Sequence, residues 1–256
     1  MIFSAFFVPT KPDKMIAIKD NTARANAVKI IFYMMMAMDI ISVYSNILQY
    51  MLLKAGQEGG SITPEAAEVN DTRQQVIAVI MLALIIATII SFIMWFHRAY
   101  KNLHAMNTRI LQFTPGWAIG AWFVPILNLG RPFVIMKEIW EETQSASLPT
   151  EEKHLVSPTT IIGWWWAFWI MNSIIGNASG RITRAADSID GYLFSTGFSI
   201  FSDSVDMIAM ILTLVMINRM TEYEKRLAAY VKYLNSLPPE SSEPVSGEAL
   251  PSAPSM

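Results

Sequence analysis

The sequence predicts an all-α, polytopic membrane protein with four transmembrane helices and one helical segment that proline breaks. Three observations favour this class. Hydrophobic residues make up 53% of the 256 residues and charged residues only 16%, against about 25% in soluble domains. Four apolar runs are long enough for a hydrocarbon core, which needs roughly 20 helical residues. A fifth apolar stretch contains prolines, which remove backbone donors and interrupt helices.

The predicted elements follow one another along the chain. A basic lead-in, residues 1–26, precedes a membrane domain at 27–220, whose second span is uncharged and closes on Trp95, as expected at a membrane interface. Residues 221–237 place apolar and charged residues at helical spacing, which predicts an amphipathic cytoplasmic helix. A Pro-, Ser- and Glu-rich tail, 238–256, is expected to be disordered. The four predicted spans are 27–53, 76–96, 159–178 and 199–218.

The broken segment covers residues 115–140 and contains Pro125 and Pro132. In lipid, an interrupted backbone persists only where protein or water satisfies its freed polar groups. We therefore expect this segment to be re-entrant or interfacial on the cytoplasmic side, and not a fifth span.

The distribution of Lys and Arg predicts the orientation. With four spans, fifteen of the 19 basic residues fall on the side that holds both termini. The positive-inside rule places that side in the cytoplasm. A fifth span would move the basic C-terminal helix outside and blur this asymmetry. The four basic residues on the other side are Lys54, Arg73, Arg181 and Arg184.

Three short motifs carry a resemblance to a known family. They are RAYKNLHAM at 98–106, FTPGWAIGAWFVPILNLGRPFVIMKEIW at 113–140 and GWWWAFW at 163–169. Together they resemble the bacterial membrane-protein family known as domain of unknown function 4328, over roughly residues 75–218. The resemblance implies a multi-pass protein of the bacterial inner membrane and assigns no activity. The matching residues are Arg98, Tyr100, Asn102, Pro115, Gly116, Trp117, Trp122, Pro125, Asn128, Arg131, Pro132, Glu138 and Trp140.

Asn128 and Arg131 are the first candidate binding residues. A guanidinium near the membrane is costly and usually has a partner. One hypothesis is that Arg131 binds an anionic group such as a lipid phosphate through its planar fork. The alternative, which we prefer at this point, is that Arg131 pairs with Glu138 or a carbonyl and fixes the broken segment. The candidate anion or lipid site comprises Arg98, Asn102, Trp117, Trp122, Pro125, Asn128, Arg131, Pro132 and Glu138.

Three acids fall within predicted spans and form a candidate ion path. Asp203 and Asp206 are three residues apart and share a helix face, and Asp39 lies near the middle of the first span. Intramembrane acids are functional candidates by default. The alternatives are that Asp203 lies within a turn of the outer surface, and that Asp39 is hydrogen-bonded inside the bundle.

The sequence favours no enzyme class. It has no cysteine, and His97, His104 and His154 lack metal-ligand spacing. No Ser-His-Asp order, Walker loop, Rossmann glycine pattern or HExxH is evident, so we expect no catalysis, metal or cofactor. The net charge of -2 gives no support for a nucleic-acid partner.

Two functions remain. The leading hypothesis is a non-enzymatic scaffold or sensor that acts through partner proteins, through a second copy of itself or through anionic lipid of the bilayer. The alternative is a small ion- or proton-coupled transporter or channel that uses the intramembrane Asp residues.

Overall fold

The computed structural model describes residues 15–106, 111–148, 152 and 155–238. The first half of the lead-in and all but the first residue of the predicted tail lie outside this range, as do Arg109, Lys153 and His154. Helices and turns, with no strands, make up the part of the chain that is described. The helices are α1 (Thr22–Gln57), α2 (Pro64–Met106), α3 (Trp117–Gly120), α4 (Arg131–Ala146), α5 (Thr160–Ala185) and α6 (Ile189–Ser236).

The four long helices run antiparallel to their neighbours. Gln49 of α1 donates to Thr196 of α6 at 2.9 Å, while Ile16, before α1, is bonded to Asn235 at the far end of α6. The start of α6 therefore lies beside the end of α1. The helix α2 returns along α1 in the same way, since the side chain of Arg73 donates to Ser45 Oγ at 2.8 Å near its start.

Three helices, α1, α2 and α6, are long and apolar enough to cross a membrane. Their outward faces carry large apolar side chains, among them Ile41 and Ile90. Such a surface is unfavourable in water and matches lipid. The chain is therefore a membrane protein.

The boundaries of the last two long helices differ from the sequence prediction. The predicted spans at 159–178 and 199–218 leave a short connection or a surface helix at 179–198, but α5 continues to Ala185 and α6 begins at Ile189. The physical reason is a local cap: Ser188 Oγ accepts the backbone N–H of Gly191 at 3.2 Å, which starts the helix at that point.

The most completely buried large side chains lie at the end of the bundle where α4 packs against α2 and α6. Trp95, Tyr100, Trp140, Ile217 and Met220 have no exposed surface there. Burial of side chains this large contributes roughly 1.5–3 kcal/mol each. This end resembles the core of a water-soluble protein, whereas elsewhere the long helices expose apolar side chains on their outward faces.

The broken segment consists of short pieces, as its prolines predict. After α3 the backbone turns at residues 121–126, forms a 3₁₀ turn at Leu127–Leu129 and enters α4. Pro132 does not interrupt a helix. It occupies the first turn of α4, where its missing N–H costs nothing.

Candidate functional site

Three acids from two helices meet inside the bundle. Asp39 comes from α1, and Asp203 and Asp206 come from one face of α6. Both α6 carboxyl groups lie close enough to Asp39 to interact with it electrostatically. Asp39 is only 1% exposed, and its carboxyl oxygens accept no hydrogen bond from an N–H or hydroxyl group of the described residues; the group within hydrogen-bonding reach is the carboxyl group of Asp206. The prediction that Asp39 is hydrogen-bonded inside the bundle therefore depends on the Asp39–Asp206 carboxyl pair, in which one of the two groups would have to carry a proton.

The two α6 acids do have donors. Ser42 donates to Asp203 Oδ2 at 2.9 Å, and Asn46 donates to the same oxygen at 3.2 Å. Asn172 of α5 donates its side-chain N–H to Asp206 Oδ1. Sequence reasoning missed these donors; the signal that would have found them is an amide or hydroxyl inside an apolar run.

Asp203 does not lie at the end of α6. Because α6 begins at Ile189, Asp203 is roughly 20 Å along the helix from its start, so it does not cap that helix. The expectation that it lies within a turn of the outer membrane surface stays a prediction. Its two donors from α1 place it in the same buried region as Asp39.

All three acids line one cavity of about 660 Å³ between the four long helices. Each helix contributes a stripe at helical spacing; that of α5 consists of Trp165, Trp169, Asn172 and Gly176. Among the described residues, no Lys, Arg or His lines the cavity. The cavity is therefore acidic in its charged groups and apolar over most of its wall.

The broken segment contributes to the same cavity. Trp122, Phe123 and Asn128 line it. Trp122 packs edge-on against Phe92 and Trp169, with ring centroids 5.6 Å apart in each case. Two of the family-motif residues thus lie at the cavity that the intramembrane acids occupy, although the sequence assigned them to a separate site.

Several buried polar atoms at the cavity lack a hydrogen-bond partner within the described ranges. Buried polar groups in folded proteins are nearly always paired, so these atoms are candidates for contact with water or with a ligand. The atoms are Asp39 Oδ1 and Oδ2, Thr88 Oγ1, Trp122 Nε1 and Asn128 Oδ1.

Arg131 lies elsewhere. Its guanidinium carbon is 4.0 Å from the ring centroid of Trp117 and 4.8 Å from that of Phe113. Glu138 instead accepts the Tyr100 hydroxyl at 2.6 Å and the Gln112 backbone N–H at 3.0 Å. The anticipated Arg131–Glu138 ion pair does not form; aromatic faces satisfy the cation instead.

The remaining residues of the predicted anion site do not form one cluster. Asn102 exchanges two bonds with the backbone of Lys19, at 2.8 and 3.0 Å, and so holds the lead-in against α2. Arg98 is half-buried on α2, and Pro125 is exposed in the turn region. The sequence-predicted site is therefore divided between the cavity, the cation–aromatic stack and this clamp.

A second groove of about 530 Å³ lies near the C-terminal end of α6. It lies between the lead-in and the part of α6 that follows the predicted span at 199–218. Glu224 lines it and accepts the side-chain N–H of Asn21 at 2.9 Å. Burial raises the pKa of Glu224 from its ordinary value of 4.5 to about 7, and the bond from Asn21 opposes the rise. Glu224 can therefore change its charge near neutral pH.

Across the described part of the chain, no group of three or more His, Cys, Asp or Glu side chains is arranged to hold a metal ion. The three cavity acids thus lie near one another without the spacing of a metal-ligand set.

Comparison with known proteins gives a family and no functional relative. No curated protein and no solved structure matches the chain. A family model described as a domain of unknown function, DUF4328, matches residues 58–222. The matched region covers the broken segment and three of the four long helices, including Asp203 and Asp206. Since the match spans more than half of the chain, this protein belongs to the DUF4328 family.

Proposed function

We propose that the chain is a small proton-coupled transporter of the bacterial inner membrane, with Asp39, Asp203 and Asp206 on its solute path. The observation that supports this most is Asp39: a buried acid with no N–H or hydroxyl donor among the described residues, which faces a cavity beside the carboxyl group of Asp206. An unpaired carboxylate in such a place is expensive, whereas a protonated carboxyl is tolerated. Proton binding is then coupled to whatever enters or leaves the cavity.

The proposal includes four spans with both termini in the cytoplasm. In support, α5 has 26 residues, or roughly 39 Å, against a hydrocarbon core of about 30 Å. Bonds from Asn172 to Asp206 and between Ser179 and Ser199 align α5 antiparallel to α6. The four basic residues assigned outside, Lys54, Arg73, Arg181 and Arg184, belong to the helix ends near the start of α6.

We also propose that the broken segment is re-entrant from the cytoplasmic side. It lines the cavity through Asn128, while Ile126, 83% exposed, faces away from the protein. Discontinuous helical pieces at a central site recur in transporters, because their freed backbone groups are satisfied only where they line a cavity.

A scaffold or sensor is the second candidate, favoured by the groove beside Glu224. That groove lies on the amphipathic end of α6 and offers Lys225 and Lys232 to an acidic partner or to anionic lipid. A partner that co-purifies with the whole chain and is lost on Lys225→Glu would support this function.

The first test of the transporter is a titration of the buried acids. The full chain, in lipid nanodiscs, is studied by infrared difference spectroscopy between about pH 5 and pH 9. We expect a C=O band of protonated carboxyl that loses intensity in Asp39→Asn and in Asp206→Asn. Glu68→Gln, which removes an exposed acid of α2, should leave the band unchanged.

The second test is flux. Proteoliposomes that enclose a pH-sensitive dye should dissipate an imposed pH gradient faster than empty liposomes, and Asp39→Asn should abolish the difference. Identical infrared bands in wild type, Asp39→Asn and Asp206→Asn would contradict proton storage at these acids. Equal flux in wild type and Asp39→Asn would contradict transport through the cavity.

A further inference from the structure

The lining of the cavity specifies a class of solute. The charged groups that line it in the described ranges are all acids, and no cationic side chain among them could bind an anion. A divalent metal ion is disfavoured, since the described acids do not form a metal-ligand set. The charged part of the solute is therefore a cation that tolerates an apolar site.

The size of the cavity points the same way. About 660 Å³ is far more than a bare ion or a single water requires, and lies within the range of roughly 300–1,000 Å³ for small organic ligands. Aromatic side chains provide much of the wall, from Phe92 and Trp122 to Trp165 and Trp169. Aromatic faces attract cations electrostatically and also pack against apolar groups.

The acids and the aromatic rings occupy neighbouring parts of the cavity. Phe32 and Asp39 both line it and are seven residues apart on α1, as are Trp165 and Asn172 on α5. Seven helical residues correspond to roughly 10 Å. Because Asn172 is bonded to Asp206, the acid end is common to α1, α5 and α6. The aromatic side chains of α5 begin within one turn of Asn172, at Trp169, and reach two turns away, at Trp165.

We infer that the cavity binds an organic cation, with an ammonium-like head beside Asp39 and Asp206 and an apolar or aromatic body against Trp122, Trp165 and Trp169. The inference rests on the proposed function and names its substrate class. Arg131 shows that this protein already binds a cation on aromatic rings, since its guanidinium lies over the rings of Trp117 and Phe113.

The test is equilibrium binding of radiolabelled tetraphenylphosphonium to the full chain in phosphatidylcholine nanodiscs. Wild type should bind the cation saturably, and Asp39→Asn and Asp206→Asn should each weaken binding at least tenfold. Trp169→Leu should weaken it by about two- to thirtyfold, the range for a lost cation–aromatic contact from exposed to desolvated sites. Trp164→Leu is the matched control, because Trp164 is 58% exposed on the outer side of α5 and should bind as wild type does.

Two further probes exclude a merely apolar site. Tetraphenylborate, an anion of the same shape that is assayed by itself because it precipitates with the cation, should not bind saturably, and uncharged tetraphenylmethane should fail to displace the cation. Saturable binding of the anion, displacement by tetraphenylmethane, or unchanged binding in both Asp variants would overturn the organic-cation assignment and indicate occupation by lipid tails.

The outcomes separate this inference from the proton-coupled function. If the infrared band still depends on Asp39 but the cation does not bind, proton coupling stands and the substrate class is wrong. If neither the band nor cation binding depends on Asp39, both proposals fail together.

Discussion

Glu224 shows how one side chain outside the apolar run can make stability depend on pH. Burial raises its pKa to about 7 in the folded chain, from an ordinary value of 4.5. Between these values the unfolded chain has released the proton while the folded chain still holds it. The unfolded state then binds fewer protons, so the free energy of unfolding falls as pH rises from about 4.5 to about 7.

We predict that Glu224→Gln removes this loss. As the pH is raised from about 5 to about 8, the thermal midpoint of the wild type should decrease by more than that of the variant. The corresponding difference in the loss of unfolding free energy is roughly 1–3 kcal/mol. The control is Glu222→Gln, two residues away, an exposed acid whose pKa is lowered by its hydrogen bond from Lys225. Parallel midpoints for wild type and Glu224→Gln would contradict the prediction.

Individual residues were only partly predictable. Asp39 and Asp206 stand out in the sequence because a charge within an apolar run is costly. Asn172 and Ser42 do not, because neutral polar side chains are tolerated in membrane helices and their partners lie on other helices. The position of Arg131 over Trp117 likewise depends on a turn whose geometry no periodicity specifies.

The broken segment depends on one side chain more than on its prolines. Trp122 contacts the rings of Phe92, Phe96, Trp166 and Trp169. Aromatic pairs of this kind add about 0.5–1.5 kcal/mol each beyond buried area. The segment between α3 and α4 is therefore attached to α2 and α5 chiefly through this indole.

We predict that Trp122→Leu detaches the segment. The variant should lose roughly 1–3 kcal/mol of stability and should be cleaved by added protease within residues 111–130 faster than wild type. Phe123→Leu is the matched control, because Phe123 is 67% exposed and has no ring contact among the described residues. Equal cleavage of Trp122→Leu and wild type would show that other contacts hold the segment.

At the scale of elements, the sequence was informative where apolar runs were long and poor where helices continued through polar residues. The run at 76–96 lies inside α2, which extends beyond it in both directions. The sequence predicted a short connection or a surface helix at 179–198, and all but three of the residues between 179 and 198 are helical. Contacts such as Gln49 with Thr196 stabilise these polar helix ends, and a one-dimensional pattern does not contain them.

The topology of the whole molecule can be tested directly, because the chain has no cysteine. Single Cys variants at exposed positions are treated with a membrane-impermeant maleimide on right-side-out vesicles. We predict that Ser61→Cys and Asp187→Cys are labelled at once and that Tyr233→Cys is labelled only after detergent is added. The wild-type chain provides the background.

This pattern separates four spans from three. If α5 stays on the cytoplasmic side, Asp187→Cys is protected and Tyr233→Cys becomes accessible from outside. Such a result would overturn the proposed orientation. The antiparallel register of α5 and α6, fixed by Asn172 with Asp206 and by Ser179 with Ser199, is the physical reason to expect the four-span pattern.

The hydrogen bonds that hold the lead-in against α2 and α6 limit the order in which native contacts can form during synthesis. Lys19 meets Asn102 83 positions later, and Ile16 meets Asn235 219 positions later. At about 5–20 residues per second, a ribosome needs roughly 10–45 s to make the chain between Ile16 and Asn235. The first described residues to leave the ribosome are therefore among the last to find their native partners, so nascent chains cut short before Asn235 lack the closing contact.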